Sequence, residues 1–509
     1  MNIYIVTDSS TYEPRAELIS RYFADKGDKV TLIGTCFDHR KKQKRNDILK
    51  GDKVTLKRDV INYIAEGSAS EADIVNEKRI RHIYLDAGGY KKNISPARLW
   101  YHHRFADKVY RLLKVLVKDE QILTDLGFKG SAVTGIDLTG SGSTESEVIE
   151  KKGEVIKSES ESLIYLLLPG NSLAKVGALL RKELNCSLIF DIIDLWPESL
   201  PVGGVEKTYP IRYWKNLRDN YLKAADHIVT ECALYGDLLG LNKENVSIMY
   251  WPKTEEVRLS DGSEICKEND CAGVDKAQSA EDDGSKDDKA YMDAESIHIA
   301  YLGSINNIID IPLIIEILSD VNKQKHVILE VIGNGEQAEA FTEALKNAGI
   351  EYHWHGAVFY EDKKQKILQD CEWGINIMKP GVKVGLTMKS VEYMANGLRL
   401  INNIPGDTWD IVEGEQIGVN VGTKPIEVSA DKALKDYAHS KIKADDTHAS
   451  TNERSKLPIA SGKDAAEAAK LILRFTGADR VQIHKLYEER FSVRAMYEVL
   501  DEIRHLVIG

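Results

Sequence analysis

Strand–helix alternation, occurring twice along the chain, is the sequence feature that most constrains the fold. Short apolar runs alternate with amphipathic segments from residue 3 to about 250, and the pattern restarts at 297. Alternation of this kind is typical of parallel sheets wound by helices. The sequence therefore predicts an α/β protein with two doubly wound, Rossmann-like domains. Two such domains joined by one linker would face an interdomain cleft, and ligands commonly bind in clefts between domains.

The predicted elements are short and regularly spaced. Strands are predicted at 3–6, 29–33, 80–85, 163–168, 187–193, 226–230, 246–250, 297–302, 326–332, 350–355, 373–377 and 398–402. Helices are predicted at 13–26, 95–118, 171–184, 211–224, 310–321, 335–348, 360–370 and 388–396.

Two acidic segments divide the chain. Residues 255–296 carry a net charge of −9 and residues 137–161 a net charge of −4, out of −12 for all 509 residues. Both are poor in aromatic residues and cannot bury enough apolar surface to order themselves, so they are predicted to be disordered. The predicted organisation is an N-terminal domain at 1–252 with an insertion at about 130–160, a linker at 253–296, and a C-terminal domain at 297–509. A further polar insertion is predicted at about 424–462.

The remaining composition indicates a cytoplasmic protein. The six cysteines are scattered, and only Cys266 and Cys271 are close, within the acidic linker. This spacing predicts reduced thiols rather than a disulfide framework or a metal site. No apolar run is long enough to predict a transmembrane helix.

An acid-containing segment follows one predicted buried strand. It reads Phe190-Asp191-Ile192-Ile193-Asp194-Leu195-Trp196-Pro197-Glu198-Ser199. In open parallel sheets, ligands bind outside the carboxyl ends of the strands, where Asp194 and Glu198 are expected to lie. The two acids are therefore candidate catalytic residues. A loop-capping Asp beside a core Trp explains the same pattern, and both interpretations stay open.

The second half contains a candidate phosphate and ribose site. The turn Gly333-Asn334-Gly335 joins a predicted strand to a helix, and its N–H groups are expected to face a diphosphate. It fits the nicotinamide fingerprint only weakly, because the following strand has no acid at its end. Lys389 and Glu392 open a later helix on one face, as a phosphate-binding base and a ribose-binding acid would. A surface salt bridge is the alternative for that pair.

These segments together resemble the family-four glycosyltransferases of the GT-B fold. The resemblance covers the whole chain except the insertions, and is nearest to bacterial enzymes that build capsule, O-antigen or exopolysaccharide units. The matching segments are Tyr90 to Ser95 with Arg98 and Phe105, Asp191 to Ser199, Ala225 to Thr230, Tyr301 to Ser304, Gly333 to Gly335, and Lys389 to Gly397. The resemblance implies that the C-terminal helix, about 493–506, packs back on the first domain.

The resemblance also implies a set of roles. Asp194, followed by Glu198, would act on the acceptor side, with the anomeric configuration retained and no nucleophile assigned. Donor binding would fall to Gly303, Ser304, Asn306, Gly333, Asn334, Gly335, Lys379, Lys383, Thr387, Lys389 and Glu392. No cofactor or metal is expected, because no D-x-D motif is evident; the nucleotide-diphosphate sugar is a substrate.

Two departures from the family pattern affect the donor site. The family has an acid eight residues before Glu392, where this chain has Val384. It also commonly has bases around the first C-domain turn, but Gly303 is followed by Ser304-Ile305-Asn306-Asn307. Diphosphate neutralisation would then depend on Lys389, assisted by Lys379 or Lys383. These departures favour an alternative, a non-catalytic GT-B-like partner that binds a nucleotide or glycan for another transferase.

The acceptor is expected to be an oligosaccharide, lipid-linked in the favoured interpretation, and no nucleic acid partner is expected. The helix predicted at 95–118 is basic, aromatic and amphipathic, so peripheral contact with an anionic membrane surface is one interpretation. For this helix, an ordinary surface helix with a buried apolar face is favoured.

Overall fold

The computed structural model describes fourteen stretches of the chain, which divide into two compact units. The described residues are 1–9, 13–45, 52–56, 59–63, 80–92, 95–118, 162–168, 170–199, 208–255, 257, 259, 296–423, 461–462 and 464–508. Unit 1 comprises Met1–Thr254, Lys383–Gly385 and Glu489–Gly509, and unit 2 comprises Glu255–Val382 and Leu386–Glu488. The predicted insertion at about 130–160, Cys266, Cys271 and nearly all of 253–296 and 424–462 lie outside the described residues.

Unit 1 is built on one large sheet. Its strands are β1 (Asn2–Val6), β2 (Lys29–Thr35), β5 (Asp52–Leu56), β6 (Asp59–Tyr63), β7 (Ile80–Leu85), β8 (Ser162–Leu168), β9 (Ser187–Ile192), β10 (His227–Thr230) and β11 (Val246–Ile248). The order is β11-β10-β9-β8-β1-β2-β7-β6-β5. All neighbours are parallel except β6, which runs antiparallel to β5 and β7. A small hairpin, β3 (Phe37–Asp38) and β4 (Gln43–Lys44), follows β2.

The helices of unit 1 connect these strands and add the end of the chain. They are α1 (Glu13–Asp25), α2 (Pro96–Lys118), α3 (Ser172–Leu184), α4 (Tyr209–Asp219) and α5 (Ala233–Leu239), with single 3-10 turns at Leu222–Ala224 and Lys243–Asn245. The last helix of the chain, which spans Val493–Val507, belongs to this unit. It buries Met496, Leu500 and Ile503 against the same core as Ile3 and Tyr22.

Unit 2 repeats the doubly wound pattern with a parallel sheet. Its strands are β12 (Ser296–Leu302), β13 (His326–Ile332), β14 (Glu351–Gly356), β15 (Trp373–Asn376), β16 (Arg399–Asn402), β17 (Gly418–Val421) and β18 (Ser461–Gly462), in the order β14-β13-β12-β15-β16-β17-β18. Its helices are α6 (Ile311–Asn322), α7 (Ala338–Asn347), α8 (Glu361–Gln369), α9 (Met388–Ala395), α10 (Asp407–Gly414), α11 (Ala465–Leu473) and α12 (Arg480–Arg490). The terminal Val493–Val507 helix is α13.

Burial of the strands explains why the sequence shows them as continuous apolar runs. Every residue of β8, Ser-Leu-Ile-Tyr-Leu-Leu-Leu, is buried, as expected for a central parallel strand covered on both faces. Amphipathic helices complete the cores: α2 buries Tyr101, Phe105, Val109 and Leu113. This burial supports the interpretation of α2 as an ordinary amphipathic helix. Among the described helices, none is both long and apolar enough to cross a membrane.

The two-sheet α/β class predicted from the alternation is confirmed, and one local prediction is corrected. The antiparallel pair β5–β6 and the hairpin β3–β4 were not anticipated. The helix predicted at 211–224 is instead α4 followed by a separate 3-10 turn. The four described cysteines, Cys36, Cys186, Cys232 and Cys371, form no disulfide bond and are buried.

Candidate functional site

Each sheet has a central point at which the order of its parallel strands reverses. In unit 1 the chain moves outward from β1 to β2 and β7 on one side, and from β8 to β9 on the other. In unit 2 the corresponding strands are β12 and β15. Doubly wound proteins bind ligands at the carboxyl ends of such strands, so the residues following β1, β8, β12 and β15 are the primary candidates.

In unit 1, a buried acid–histidine pair lies at the reversal point. Asp8 follows β1, and its Oδ2 atom lies 2.6 Å from Nδ1 of His102 on α2. Both side chains are 1% exposed. A Cβ atom on Gly170, just after β8, would lie 2.0 Å from the same carboxylate oxygen, so only glycine allows this approach. Burial alone would raise the pKa of Asp8, but His102 lowers it below its ordinary value.

Arg98 joins this pair to an aromatic cluster. Its Nε atom donates to Nε2 of His102 at 3.2 Å, which makes Nδ1 the donor toward Asp8. Its guanidinium carbon lies 4.0 Å from the ring centre of Trp196, 5.5 Å from Tyr90 and 5.9 Å from Trp214. Cation–π contacts of this kind fix the guanidinium plane.

Asp194 lies beside that cluster, directly after β9. Its carboxylate accepts hydrogen bonds from Trp196 Nε1 and, at 2.9 Å, from Ser199 Oγ. The side chain is partly exposed. Asp194 therefore has the position expected of a group that contacts a ligand, while its bonds to Trp196 and Ser199 also fit the loop-capping alternative.

Glu198 is held by bases from α4. It accepts from Arg218 Nη2 at 2.7 Å and also pairs with Lys215. Arg218 is fully buried and additionally donates to the Trp196 carbonyl at 2.9 Å. Burial raises the pKa of Glu198, but these bases reverse the effect and keep it below its ordinary value. This arrangement makes Glu198 a brace for the loop.

Asp191, the first acid of the same segment, is fully buried away from any ligand position. Its two oxygens accept from Nε and Nη2 of Arg15, each at 2.9 Å, and Tyr165 donates at 3.0 Å. Both members of the ion pair are 0% exposed. The role of this pair is to position β9 against α1.

In unit 2, glycines line the reversal point. Gly303 follows β12 with φ +113°, which favours glycine. A Cβ on Gly333 would lie 2.0 Å from the Gly303 carbonyl oxygen, and one on Gly335 would lie 2.2 Å from that of Ile305. The three glycines therefore allow the turns after β12 and β13 to pack backbone against backbone.

The expectation that the Gly335 N–H faces a diphosphate is corrected, and the N–H of Gly303, the other glycine implied to bind the donor, is also occupied. Gly303 N–H donates to the Ile332 carbonyl at 2.9 Å, and Gly335 N–H donates to Oδ1 of Asn334 at 2.8 Å. Within 296–423, which the structure describes throughout, no hydrogen bond is found for the N–H of the exposed Ser304. Ser304 is therefore the better donor candidate in this turn.

Lys389, in the first turn of α9, lies beside the glycine-lined turn that follows β12. Its Cε atom lies 4.0 Å from where a Cβ on Gly303 would be, and its Nζ lies 4.8 Å from the ring centre of Tyr301 in β12. Among the described residues, no salt bridge to Lys389 is found, and Glu392 on the same helix pairs with Lys364 instead. Burial lowers the pKa of this amine to about 8.

Glu392 is one turn further along α9 and is paired. Its Oε2 lies 3.2 Å from Nζ of Lys364 on α8, which also pairs with Glu361. The carboxylate is only 12% exposed. The salt-bridge alternative thus applies to Glu392, but its partner is Lys364 rather than Lys389.

The other predicted donor residues are spread around this turn. Thr387 caps α9 by accepting from Ser390 N–H, and Asn376, the last residue of β15, donates to Thr387 Oγ1 at 2.9 Å. Asn306 accepts from the Ile308 N–H, and Asn334 is exposed. Lys379 is exposed, whereas Lys383 groups with unit 1.

Sequence reasoning missed Asp8, His39 and His102. His39 Nδ1 lies 2.6 Å from the Tyr90 hydroxyl. These residues are far apart in the chain and match no local motif. The available signal was the position of Asp8 at the end of the first strand. Among the described residues, no group of three or more His, Cys, Asp or Glu side chains is arranged to hold a metal ion.

Comparison with known proteins gives structural matches only. No protein-family model matches the chain, and no curated protein matches it. A sucrose-phosphate synthase from Thermosynechococcus elongatus is 11% identical with a TM-score of 0.50, covering 100% of this chain and 99% of that one. HepE from Anabaena, solved with UDP, is 12% identical with a TM-score of 0.49, covering 99% and 100%. A lipopolysaccharide outer core galactosyltransferase, WaaB, is 10% identical with a TM-score of 0.48, covering 99% and 98%.

At these identities the likeness concerns the fold. The match to sucrose-phosphate synthase spans essentially the whole of both chains, and the two sheets each have the doubly wound order. The chain has the GT-B fold, with one Rossmann-like domain built on each sheet.

Proposed function

We propose that the protein is a glycosyltransferase that uses a nucleotide-diphosphate sugar. The observation that carries the proposal is Lys389: a base without an acidic partner among the described residues, beside the glycine turn at the strand-order reversal of unit 2. An unpaired amine that loses hydration costs free energy unless a ligand supplies the negative charge. A diphosphate at the Gly303 turn is such a ligand.

The chemistry of glycosyl transfer suits this arrangement. The donor's diphosphate leaves as an anion while the sugar develops oxocarbenium character, so the protein must stabilise the leaving group and orient the acceptor hydroxyl. Lys389 and the N–H of Ser304 would contact the diphosphate, and Glu392 would accept the ribose hydroxyls. These assignments require no cofactor or metal.

Asp194 is the proposed acceptor-side catalytic residue. It is partly exposed at the carboxyl end of β9, next to the Arg98–Trp196 contact. We further propose retention of anomeric configuration and a lipid-linked glycan acceptor in bacterial surface polysaccharide synthesis. A cytoplasmic location with peripheral contact at the inner face of the plasma membrane would accompany that role. These finer assignments rest on the resemblance of the DLWPES and K-x-x-E-Y segments.

A non-catalytic nucleotide- or glycan-binding partner is the second candidate. Val384 replaces the first acid of the family pattern, and Lys364 already neutralises Glu392. Such a protein would bind the nucleotide sugar without hydrolysing or transferring it.

A panel of nucleotide sugars distinguishes the candidates. Thermal shift identifies the nucleotide, and donor hydrolysis and transfer to a glycan extract then measure turnover. Lys389→Ala should weaken nucleoside diphosphates more than nucleosides, and exposed Lys346 on α7 supplies the matched control, Lys346→Ala. Binding without turnover would favour the non-catalytic candidate, and no binding of any nucleotide or glycan would refute both.

A further inference from the structure

We propose that His102 is a positioning residue that acts on Asp194. It acts through two intervening side chains, the guanidinium of Arg98 and the indole of Trp196. The inference deepens the proposed function and rests on it only in calling Asp194 catalytic. The contacts themselves lie entirely within unit 1.

The series of contacts begins at a carboxylate in a fixed position. Asp8 Oδ2 lies 2.6 Å from His102 Nδ1, and both side chains are 1% exposed. The carboxylate packs directly against Gly170, where a Cβ atom would lie 2.0 Å from Oδ2. Although burial raises the pKa of Asp8, His102 lowers it below its ordinary value, so the carboxylate is charged and only accepts. His102 Nδ1 must therefore carry the proton of this hydrogen bond.

That proton determines what the other ring nitrogen of His102 can do. Because Arg98 Nε donates to His102 Nε2 at 3.2 Å, Nε2 is an acceptor and the imidazole is neutral. A carboxylate that fixes the tautomer of a histidine also fixes the direction in which the ring faces. Asp8 thus makes His102 an acceptor for Arg98, and the bond at Nε restrains the rotation of the guanidinium plane.

The restrained guanidinium lies on the face of Trp196. Its central carbon is 4.0 Å from the ring centre, well inside the range of a cation–π contact. The backbone of Trp196 is held separately, because its carbonyl accepts from Asn171 Nδ2 at 3.0 Å and from Arg218 Nη1 at 2.9 Å. The orientation of the indole on that backbone therefore depends on Arg98 and on the ring of Trp214, whose centre is 5.5 Å away.

The indole of Trp196 carries the effect to the acid. Trp196 Nε1 donates to Asp194 Oδ2, and Ser199 Oγ donates to Asp194 Oδ1 at 2.9 Å. A cation on the indole face draws electron density from the ring and strengthens the N–H as a donor, since groups in a hydrogen-bonded network polarise one another. His102 therefore influences the direction of the Asp194 carboxylate and the strength of one of its hydrogen bonds without touching it.

Two substitutions of His102 separate its two contacts. In His102→Asn the amide nitrogen takes the place of Nδ1 and can still donate to Asp8, but no atom reaches Arg98. In His102→Gln the amide oxygen can take the place of Nε2 and accept from Arg98, but the donor toward Asp8 is lost. A purely structural role predicts the greater functional loss in His102→Gln, because that variant leaves a buried carboxylate without its partner. A positioning role predicts the greater loss in His102→Asn.

The first readout is the indole N–H resonance of Trp196 in full-length protein with 15N-labelled tryptophan. Trp196→Phe identifies this resonance among those of the seven tryptophans. His102→Asn should move it toward the position of a free indole, whereas His102→Gln should leave it near the wild-type position. Arg98→Met removes the next contact at a partly exposed side chain and should move the resonance as His102→Asn does. His103→Asn is the matched control and should not move it, because the His103 ring bonds Ser172 instead.

The second readout is turnover. Values of kcat and KM for transfer to the glycan extract are measured with the donor that the panel identifies, beginning with UDP-glucose. His102→Asn should lower kcat about tenfold to a hundredfold, because a small displacement of a catalytic group is enough for such a loss, and should leave the donor KM nearly unchanged. His102→Gln should keep most of the turnover despite a lower thermal stability. In an Asp194→Asn background, His102→Asn should change kcat less than about twofold, because the two residues act as one unit.

A Trp196 resonance that neither His102→Asn nor Arg98→Met moves would overturn the inference, as would a kcat that falls further in His102→Gln than in His102→Asn. If the wild-type protein turns over a nucleotide sugar and the resonance ignores His102, only this inference fails. If no nucleotide sugar is bound or turned over while the resonance still distinguishes the two His102 variants, the positioning of Asp194 holds and the proposed function fails.

Discussion

The two reversal points of this protein share a topology and differ in what occupies them. In unit 1 the space after β1 and β8 is filled by the Asp8 carboxylate against Gly170, with His102 completing the pair. In unit 2 the space after β12 is lined by Gly303 and Gly333, and Lys389 stands beside it. The buried acid of unit 1 is paired with His102 through Oδ2, whereas Lys389 of unit 2 has no acidic partner among the described residues and leaves a charge for a ligand to satisfy.

The difference shows how to interpret acidic motifs in such folds. Asp191 and Glu198 are the most motif-like acids of unit 1, yet each is bound to an arginine that is itself fully buried. Buried pairs mainly hold elements in place, because breaking one leaves an uncompensated charge. A charged side chain that its neighbours do not neutralise is therefore better evidence for a ligand site than an acid paired with a buried arginine.

The largest expected effect concerns Asp194, the acid of unit 1 that is proposed to be catalytic. Asp194→Asn should lower the transfer rate by about 10²–10⁴, the range for general acid–base groups. Donor affinity should stay nearly constant, because the residues proposed to contact the donor, Lys389, Ser304 and Glu392, lie in unit 2. Transfer and nucleotide binding are measured on the same preparation.

Glu198→Gln serves as the control and should lower the rate less. An Asp194→Asn protein with an unaltered rate would remove catalysis from this position. A large loss of thermal stability in that variant would instead favour the capping role through Trp196 and Ser199.

The next effect concerns the paired charges. Arg15→Met should lower the free energy of unfolding by about 3–5 kcal/mol, because Asp191 would remain buried without its partner. Lys26→Met, which breaks a pair with Asp501 whose members are 44% and 53% exposed, should cost about 0–1 kcal/mol. Urea unfolding measures both, and equal losses would contradict the contrast between buried and exposed pairs.

A smaller effect tests Glu392, the one paired acid proposed to bind a ligand. Glu392→Ala should raise the nucleoside diphosphate dissociation constant about tenfold to a hundredfold, roughly 1.5–3 kcal/mol for charged hydrogen bonds. Glu361→Ala removes the other partner of Lys364 and should leave binding unchanged. Equal weakening by both variants would show that only the charge of Lys364 matters.

The smallest effect is the pH dependence of the unpaired base. Because burial lowers the pKa of Lys389 to about 8, the amine is charged below that pH and neutral above it. Nucleoside diphosphate affinity should therefore fall about threefold to tenfold as the pH rises from 7 to about 9.5. Titrations with Lys389→Met should show no such fall, and a persistent fall would assign it to another group.

The sequence predicted the buried strands well because their apolar runs are continuous. It missed β5 and β6, Asp52–Leu56 and Asp59–Tyr63, because these two strands at one end of the sheet mix polar residues into short apolar stretches. The residues between them in the sequence, Lys57 and Arg58, carry no glycine or asparagine hairpin signal.

The sequence identified candidate site residues but not the hydrogen bonds and ion pairs that these residues form. Lys389 and Gly303 were both named, and the structure brings them together. Whether the Gly303 N–H is free depends on Ile332, on a neighbouring strand, and the pairing of Glu392 depends on α8. Contacts of that kind arise from sheet order and helix packing, which local patterns do not encode.

The pairing of β17 with β18 has a consequence for engineering. The two strands hydrogen-bond in parallel, with Asn420 opposite Ser461 and Val421 opposite Gly462. The chain therefore leaves and re-enters the sheet at neighbouring positions, whatever lies at 424–460. Replacing that stretch with a short flexible linker shortens a closed loop, and closure entropy favours the shorter loop by about 1–2 kcal/mol. Because its two ends are neighbours in the sheet, the 424–460 stretch is also a suitable place to insert a reporter domain or to open new chain termini.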